Sequence, residues 1–282
     1  MYRAQALVVN RIYIFGLLLS LILQLVPNAR GQAMSSVPSY FHPDIARGRP
    51  TASASEFGQQ TENVFRKAQD ALGGLQRLQA IHDVTRKVEM VNLATKERAQ
   101  ATSEIIFPEV IRLTTDSPFG ELVAFSDGHS AWSSSAFGVD QRLPDWQIKA
   151  SRQDLFRQLE TLLQSDRNPD RKLEFTERGK VEDRPADILK ISSEVAGTVR
   201  LWVDAVSGDL LELEYQRVVA RGSGPLVTDF FSDYRWVNKT IRVPFHIHTL
   251  SDGQPYMDTE VVGVEYNRGL KAEILNQKPT LK

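Results

Sequence analysis

The sequence predicts a mainly β protein of the α+β class, in which one wide antiparallel sheet curls into a half-barrel. Apolar and polar residues alternate with a period of two through most of the chain after residue 83, which is typical of half-buried strands. Turn sequences such as Asp127-Gly128 and Ser207-Gly208 separate the alternating segments and predict hairpins. Only two amphipathic helical segments accompany about 10–11 strands, an order that favours antiparallel hairpins over βαβ units.

The number of strands also predicts the shape of the sheet. A twisted antiparallel sheet of this width tends to curl, and two helices cannot cover both of its faces. We therefore expect the amphipathic helices to cover the concave face of the half-barrel. Such packing leaves an apolar cleft between helices and sheet, where proteins commonly bind ligands.

Composition excludes several classes of function. The chain has 282 residues with 34 basic and 35 acidic side chains and no clustered basic segment, so we expect no nucleic-acid partner. It contains no cysteine, which excludes disulfides, thiolate metal ligands and a cysteine nucleophile. For the same reason the N-terminus cannot carry a lipid-modified cysteine.

The N-terminus has the pattern of an export signal. Arg3 and Arg11 precede an apolar run at residues 12–26, which is shorter than the roughly 20 residues that span a bilayer. Small residues at positions 29, 31 and 33 fit signal cleavage near residue 31 or 33, which we favour over an uncleaved anchor. We therefore expect a periplasmic protein. The predicted division of the chain is a signal peptide at 1–33, a flexible linker at 34–55 and one half-barrel domain at 56–282.

The first part of the folded domain predicts one helix and then a run of strands. Val64, Phe65, Ala68 and Leu72 recur at helical spacing, and Thr61 is positioned to cap that helix. The predicted strands that follow are residues 84–92, 97–107, 109–115, 121–126 and 129–134.

A second helix separates the two groups of strands. Ser151, with Asp154 three residues later, resembles a capping box, and Leu155, Leu159 and Leu162 line one face of the predicted helix. The predicted strands after it are residues 172–178, 187–192, 198–204, 209–217, 227–237, 240–249 and 256–266.

Several short motifs are distributed over roughly residues 60–280: 71–78 (ALGGLQRL), 119–120 (FG), 125–128 (FSDG), 131–132 (AW), 184–186 (RPA), 188–191 (ILKI), 199–204 (VRLWVD), 207–211 (SGDLL), 231–235 (FSDYR) and 241–245 (IRVPF). Together they resemble the outer-membrane lipoprotein-sorting protein family, the LolA-like proteins. The resemblance implies an antiparallel half-barrel with helices in its mouth and periplasmic handling of lipid or lipoprotein, without a cofactor. Other members of this fold sense envelope stress by binding a regulator, so the resemblance leaves two functions open.

Large aromatic residues are the ligand-binding candidates. Trp202 alternates out of phase with Leu201 and Val203 and lies beside Arg200, and an aromatic ring next to a positive charge suits an acyl chain with a polar or anionic head. The alternative for each aromatic residue is ordinary core packing. The predicted cleft residues are Trp202, Trp132, Phe125, Phe119, Phe107, Trp236, Leu155, Leu159, Leu162 and Arg200.

Two patterns could indicate metal sites. His246 and His248 lie two apart on a predicted strand and share a face, which allows a metal pair but also a polar outer surface. Asp166, Asn168 and Asp170 have calcium-loop spacing, yet Arg171 occupies the sixth position, where the loop needs glycine. We expect no metal, cofactor or catalytic group.

The sequence thus predicts a non-enzymatic protein that binds or carries a lipid, an acyl chain or an acylated lipoprotein in its apolar cleft. The alternative is an envelope regulatory or sensor module that binds an envelope or inner-membrane protein. We expect a monomer in either case.

Overall fold

A computed structural model describes residues 54–117, 120–135, 141–164, 167, 170–222 and 224–279. The predicted signal peptide lies outside these residues, as does the predicted linker except for Ala54 and Ser55, which begin the first helix. The helices are α1 Ala54–Ala71, α2 Leu75–Gln79, α3 Asp145–Arg157, α4 Leu159–Leu162 and α5 Ala272–Leu275. None of the helices within the described ranges is both long and apolar enough to cross a bilayer.

Thirteen strands lie within the described residues, and all pair antiparallel in one open sheet. The strands are β1 Asp83–Asn92, β2 Arg98–Ile106, β3 Val110–Ser117, β4 Gly120–Ser126, β5 Ala131–Ser135, β6 Gln141–Arg142, β7 Lys172–Val181, β8 Arg184–Ser193, β9 Gly197–Asp204, β10 Leu210–Gln216, β11 Leu226–Val237, β12 Ile241–Ser251 and β13 Gln254–Tyr266.

Two meanders build the sheet, β1–β6 and β7–β13. They meet where the first strand pairs with the last, so that Val84 lies opposite Tyr266. The chain passes from β6 at one edge of the sheet to β7 at the other edge through α3 and α4. This connection carries the two helices across one face of the sheet.

We call the face that packs against α1–α4 the inner face and the opposite face the outer face. Ala68 of α1 and Leu162 of α4 share one buried cluster with Leu201 of β9. Ile148 of α3 packs on Leu113 of β3 in a second inner cluster. The predicted mainly β half-barrel with helices over the concave face is therefore confirmed.

The outer face is covered in part by the segment that follows β13, which we call the C-terminal strap (residues 267–276). Its start is held by Asp83, whose carboxylate accepts backbone hydrogen bonds from residues 268–270. Leu275 of α5 packs into an outer cluster that contains Trp132. The sheet thus has buried apolar residues on both faces.

Each segment predicted as a strand corresponds to a strand of the structure, and the predicted turns agree as well. The described residues form thirteen strands, more than the 10–11 expected, and the two-residue β6 is too short for alternation to predict. The Asp127 carboxylate accepts hydrogen bonds from the backbone of His129 and Ser130 in the β4–β5 turn. At the β9–β10 turn, the Asp204 carboxylate accepts hydrogen bonds from the backbone of Val206 and Ser207. These bonds explain why short sequences that contain Asp and Gly predicted the positions of the hairpins correctly.

Both predicted helix caps are wrong. Thr61 lies inside α1, where its hydroxyl accepts a hydrogen bond from the backbone N–H of Phe175 on β7. Ser151 lies inside α3, which begins after Pro144, and its hydroxyl is 2.8 Å from that of Ser126 on β4. The two hydroxyls tie the helices to the sheet.

Candidate functional site

A cleft lies between the α3–α4 junction and the inner face of the central strands. Its enclosed volume is about 90 Å³. The space between its side chains is about 790 Å³ when the part open to solvent is included. Pockets for small molecules commonly measure about 300–1,000 Å³, so the enclosed space of about 90 Å³ is smaller than such a pocket and the rest of the cleft is open to solvent. The lining residues are Arg86, Val88, Met90, Asp154, Arg157, Gln158, Leu159, Leu213, Tyr215, Asp229, Phe231, Val243, Pro244, Ile247, Thr259 and Val261.

Apolar side chains form most of the cleft wall because the inner positions of five neighbouring strands converge there. Val88 lies opposite Val261 in the β1–β13 pair, and Phe231 lies opposite Ile247 in the β11–β12 pair. Leu159 at the start of α4 covers these residues from the helix side. The wall can therefore accept an aliphatic chain.

One charged group holds the helices over the cleft. Arg86 of β1 donates to Gln158 at 2.7 Å and to the fully buried Glu160 at 2.8 Å. The hydroxyl of Tyr266 donates to the same Glu160 oxygen at 2.8 Å. Burial opposes the charged form of Arg86, but the Glu160 carboxylate and Tyr266 outweigh it and raise the pKa of the guanidinium.

A second polar group lies deeper in the cleft. Arg157 at the end of α3 pairs with Asp154, and its guanidinium lies 3.8 Å from the centre of the Tyr215 ring. Asp229 on β11 is 2% exposed and accepts a hydrogen bond from the Thr249 hydroxyl at 2.8 Å. Burial raises the pKa of Asp229 to about 6, although the hydrogen bond from Thr249 and the charge of Arg157 favour its ionised form.

The three predicted helix residues all lie on the inner side. Leu159 lines the cleft. Leu155 packs with Val84 and Ile105 beside it, and Leu162 belongs to the large core under α1. The helix face was thus predicted, but only one of its leucines lines the cleft.

Trp202 and Arg200 face away from the cleft. Trp202 packs with Ile188 and Leu211 in a cluster on the outer face, and the Arg200 guanidinium lies 4.9 Å from the centre of a Trp202 ring. Arg200 also pairs with Glu177 at 3.2 Å. The predicted contact between this tryptophan and arginine is present, but the prediction that they line the cleft is corrected, because Leu201 and Val203 occupy the inner side of β9.

Four further aromatic candidates also lie outside the cleft. Phe125 and Trp132 stack with ring centres 5.9 Å apart under the C-terminal strap, on the outer face. Trp236 is 52% exposed. Phe107 packs beside Leu155, under the Arg167 guanidinium. These placements correct the predicted cleft positions of the four residues, and Phe119 lies outside the described residues.

The two histidines form a hydrogen-bonded group on the outer face. Nε2 of His246 lies 2.9 Å and Nδ1 of His248 lies 3.4 Å from the same oxygen of Asp258. Nδ1 of His246 lies 2.9 Å from the Ser232 hydroxyl. Within the described part of the chain, no group of three or more histidine, cysteine, aspartate or glutamate side chains could hold a metal ion. Asp166 and Asn168, which have calcium-loop spacing, lie outside the described residues.

The charged residues of the cleft were not predicted from the sequence. Asp229 lies in phase with Val227 and Phe231, and Arg86 lies in phase with Val84 and Val88. A charge at an apolar position of an alternating strand is a signal that could have found both residues, because such a group must be buried with polar partners.

Comparison with known proteins gives the fold but no close relative. No protein-family model matches the sequence, and no curated protein matches it.

Three solved structures share the fold. A domain named for outer membrane lipoprotein sorting, from Vibrio parahaemolyticus, is 14% identical with a TM-score of 0.53. A LolA superfamily protein from Nitrosomonas europaea is 12% identical with a TM-score of 0.54, and a DUF1329 family protein from Desulfovibrio piger is 11% identical with a TM-score of 0.50. Each match covers 77% of this chain and 97% of the other. The chain therefore has the LolA-like fold that its sequence motifs resemble.

Proposed function

We propose that this protein binds the acyl chain of a lipid or of an acylated lipoprotein in the cleft between α3–α4 and the inner face, and that it acts without catalysis. The observation that carries the proposal is the apolar wall formed by Val88, Leu159, Phe231, Ile247 and Val261. The likeness in fold to a lipoprotein-sorting domain supports the same ligand class.

The energetics are adequate for this role. Each methylene that leaves water contributes about 0.8 kcal/mol, so a chain of a dozen carbons gains about 10 kcal/mol at most. Opening the helices and ordering the chain reduce this gain. A carrier must release its load, and a moderate net affinity is consistent with that requirement.

The first test is to express the full-length protein in a bacterium, purify it from the periplasm without detergent and record its native mass. We expect bound mass that lipid extraction identifies as an acyl species. A mass without ligand, together with no uptake of added fatty acid or phospholipid, would contradict the proposal. That result would direct attention to a regulatory partner in the envelope.

A matched pair of variants locates the ligand. Ile247→Gln places a polar group in the cleft wall and should reduce the bound acyl species about tenfold, because an unpaired buried amide costs about 1–3 kcal/mol. Val262→Gln changes a residue that is 58% exposed and should leave binding unchanged. Equal loss in both variants would place the ligand elsewhere.

Export is part of the same proposal. We infer that residues 1–33 are a signal peptide and that the protein acts in the periplasm, with residues 34–55 as a linker. The mass of the periplasmic protein should correspond to a chain that starts after residue 31 or 33. A full-length mass in the membrane fraction would instead indicate an uncleaved anchor.

A further inference from the structure

Among the described residues that line the cleft, Asp229 is the one acidic side chain that the β-sheet contributes. Its strand neighbours are Leu213 on β10 and Thr249 on β12, both buried on the inner face. The carboxylate is 2% exposed and lines the cleft. A carboxylate in an apolar wall costs folding free energy unless a partner compensates it.

The cationic groups of the cleft are already engaged by other acids. Arg86 pairs with Glu160, and Arg157 pairs with Asp154. The positive charges of Arg157 and Arg217 favour the ionised Asp229 carboxylate, but Arg157 forms its ion pair with Asp154. Its nearby donors are the hydroxyls of Thr249 and Tyr215, which favour the ionised carboxylate.

We propose that Asp229 binds a protonated amine in the polar head of an amphiphile whose aliphatic chain lies against the apolar wall of the cleft. The proposal rests on the acyl-binding function given above and adds the chemistry of the head group. An ammonium group can donate to the Asp229 carboxylate and to the Tyr215 hydroxyl oxygen, and charge-assisted bonds of this kind are among the strongest that a protein makes.

Selectivity follows from the same arrangement. A neutral hydroxyl head forms a weaker bond to Asp229 than an ammonium does. An anionic head has the same charge as Asp229, and like charges in a site of low dielectric repel strongly. Arg157 offers little compensation, because it is paired with Asp154. The cleft should therefore discriminate among chains of equal length by their heads.

The test compares three twelve-carbon probes by calorimetry at pH 7.5, each at a concentration at which it is monomeric in water, using the protein purified from the periplasm. The probes are dodecylammonium, dodecanol and dodecanoate. We expect the wild-type protein to bind dodecylammonium about tenfold more tightly than dodecanol, since a hydrogen bond to a charged group adds about 1.5–3 kcal/mol. Dodecanoate should bind most weakly.

Asp229→Asn, which keeps the shape of the side chain, should bind dodecylammonium about tenfold more weakly and dodecanol as the wild type does. Glu212→Gln is the control. Glu212 is also a buried carboxylate, but it lies on the outer face, opposite Trp202 in the β9–β10 pair. This control should leave all three affinities unchanged.

The possible failures are distinguishable. If the wild-type protein binds none of the probes, the acyl-binding function itself is wrong. If it binds dodecanol as tightly as dodecylammonium, or if Asp229→Asn keeps the preference, only the assignment of Asp229 is wrong. A preference for dodecanoate would also overturn the assignment and would indicate an arginine as the head-group contact.

Discussion

Two buried carboxyl groups lie on opposite faces of the sheet in surroundings that disfavour ionisation. Burial raises the pKa of Asp229 to about 6. Burial and the neighbouring Glu214 raise the pKa of Glu212 to about 7. Each group therefore takes up protons on folding between its unfolded pKa near 4 and its folded value, and the free energy of unfolding falls as the pH rises through this window.

We expect the wild-type protein to be more stable at pH 5 than at pH 8. Asp229→Asn and Glu212→Gln should each remove part of this dependence and raise the free energy of unfolding at pH 8 by about 1–3 kcal/mol, since one pKa unit corresponds to about 1.4 kcal/mol. Denaturant unfolding at both pH values measures the effect. A wild-type stability that rises from pH 5 to pH 8 would contradict the assignment.

Single residues also show how far the sequence could predict the site. Alternation correctly separated Trp202 and Arg200 from Leu201, because neighbouring side chains on a strand point to opposite faces. It could not show which face holds the cleft, since both faces are buried where the C-terminal strap and outer clusters cover them. Trp202, Trp132 and Phe125 were therefore assigned to the wrong face.

At the scale of elements, one buried ion pair joins α4 to the sheet beside the cleft. The backbone turns at Gln158, between α3 and α4, so that Glu160 points at Arg86 on the central strand. Removing one member of a buried pair leaves an uncompensated charge. The attachment of α4 to the sheet should therefore be sensitive to this single arginine.

Arg86→Gln should lower the free energy of unfolding by about 3–5 kcal/mol and speed hydrogen exchange in α4. Adding Glu160→Gln should recover much of this loss, because the second change removes the unpaired charge. Lys190→Gln is the control, since its pair with Glu174 joins two exposed side chains and contributes about 0–1 kcal/mol. An equal effect of the control and Arg86→Gln would contradict the role of the buried pair.

The starts of the helices were the elements that the sequence predicted least well. Ser151 and Thr61 have the residue types of caps, but α3 begins at Asp145 and α1 already includes Thr61. Their hydroxyls bond to the sheet instead. Contacts between distant parts of the chain decide such positions, whereas the hairpin turns depend on local backbone geometry and could be predicted.

At the scale of the whole molecule, the two meanders are interlaced. The helices α1 and α2 precede the first meander in sequence but pack on strands of the second. The C-terminal strap follows the second meander but packs on the first. Each half of the sheet therefore takes part of its apolar cover from the other half.

We expect neither residues 1–164 nor residues 165–282 to fold alone. Each fragment by itself should lack a cooperative thermal transition by circular dichroism, because its apolar surface would stay uncovered. Mixing the two fragments during refolding should restore the transition. A cooperative transition in either isolated fragment would contradict the interlaced arrangement.

The pairing of β1 with β13 sets an order for assembly during synthesis. A chain that emerges N-terminus first can pair β1 with β2 early, but the other edge of β1 waits for the last strand. The cleft wall crosses this seam, with Val88 and Met90 on β1 and Thr259 and Val261 on β13. A chain that lacks β13 thus lacks one side of the cleft, and the proposed ligand could be bound only after β13 has been synthesised.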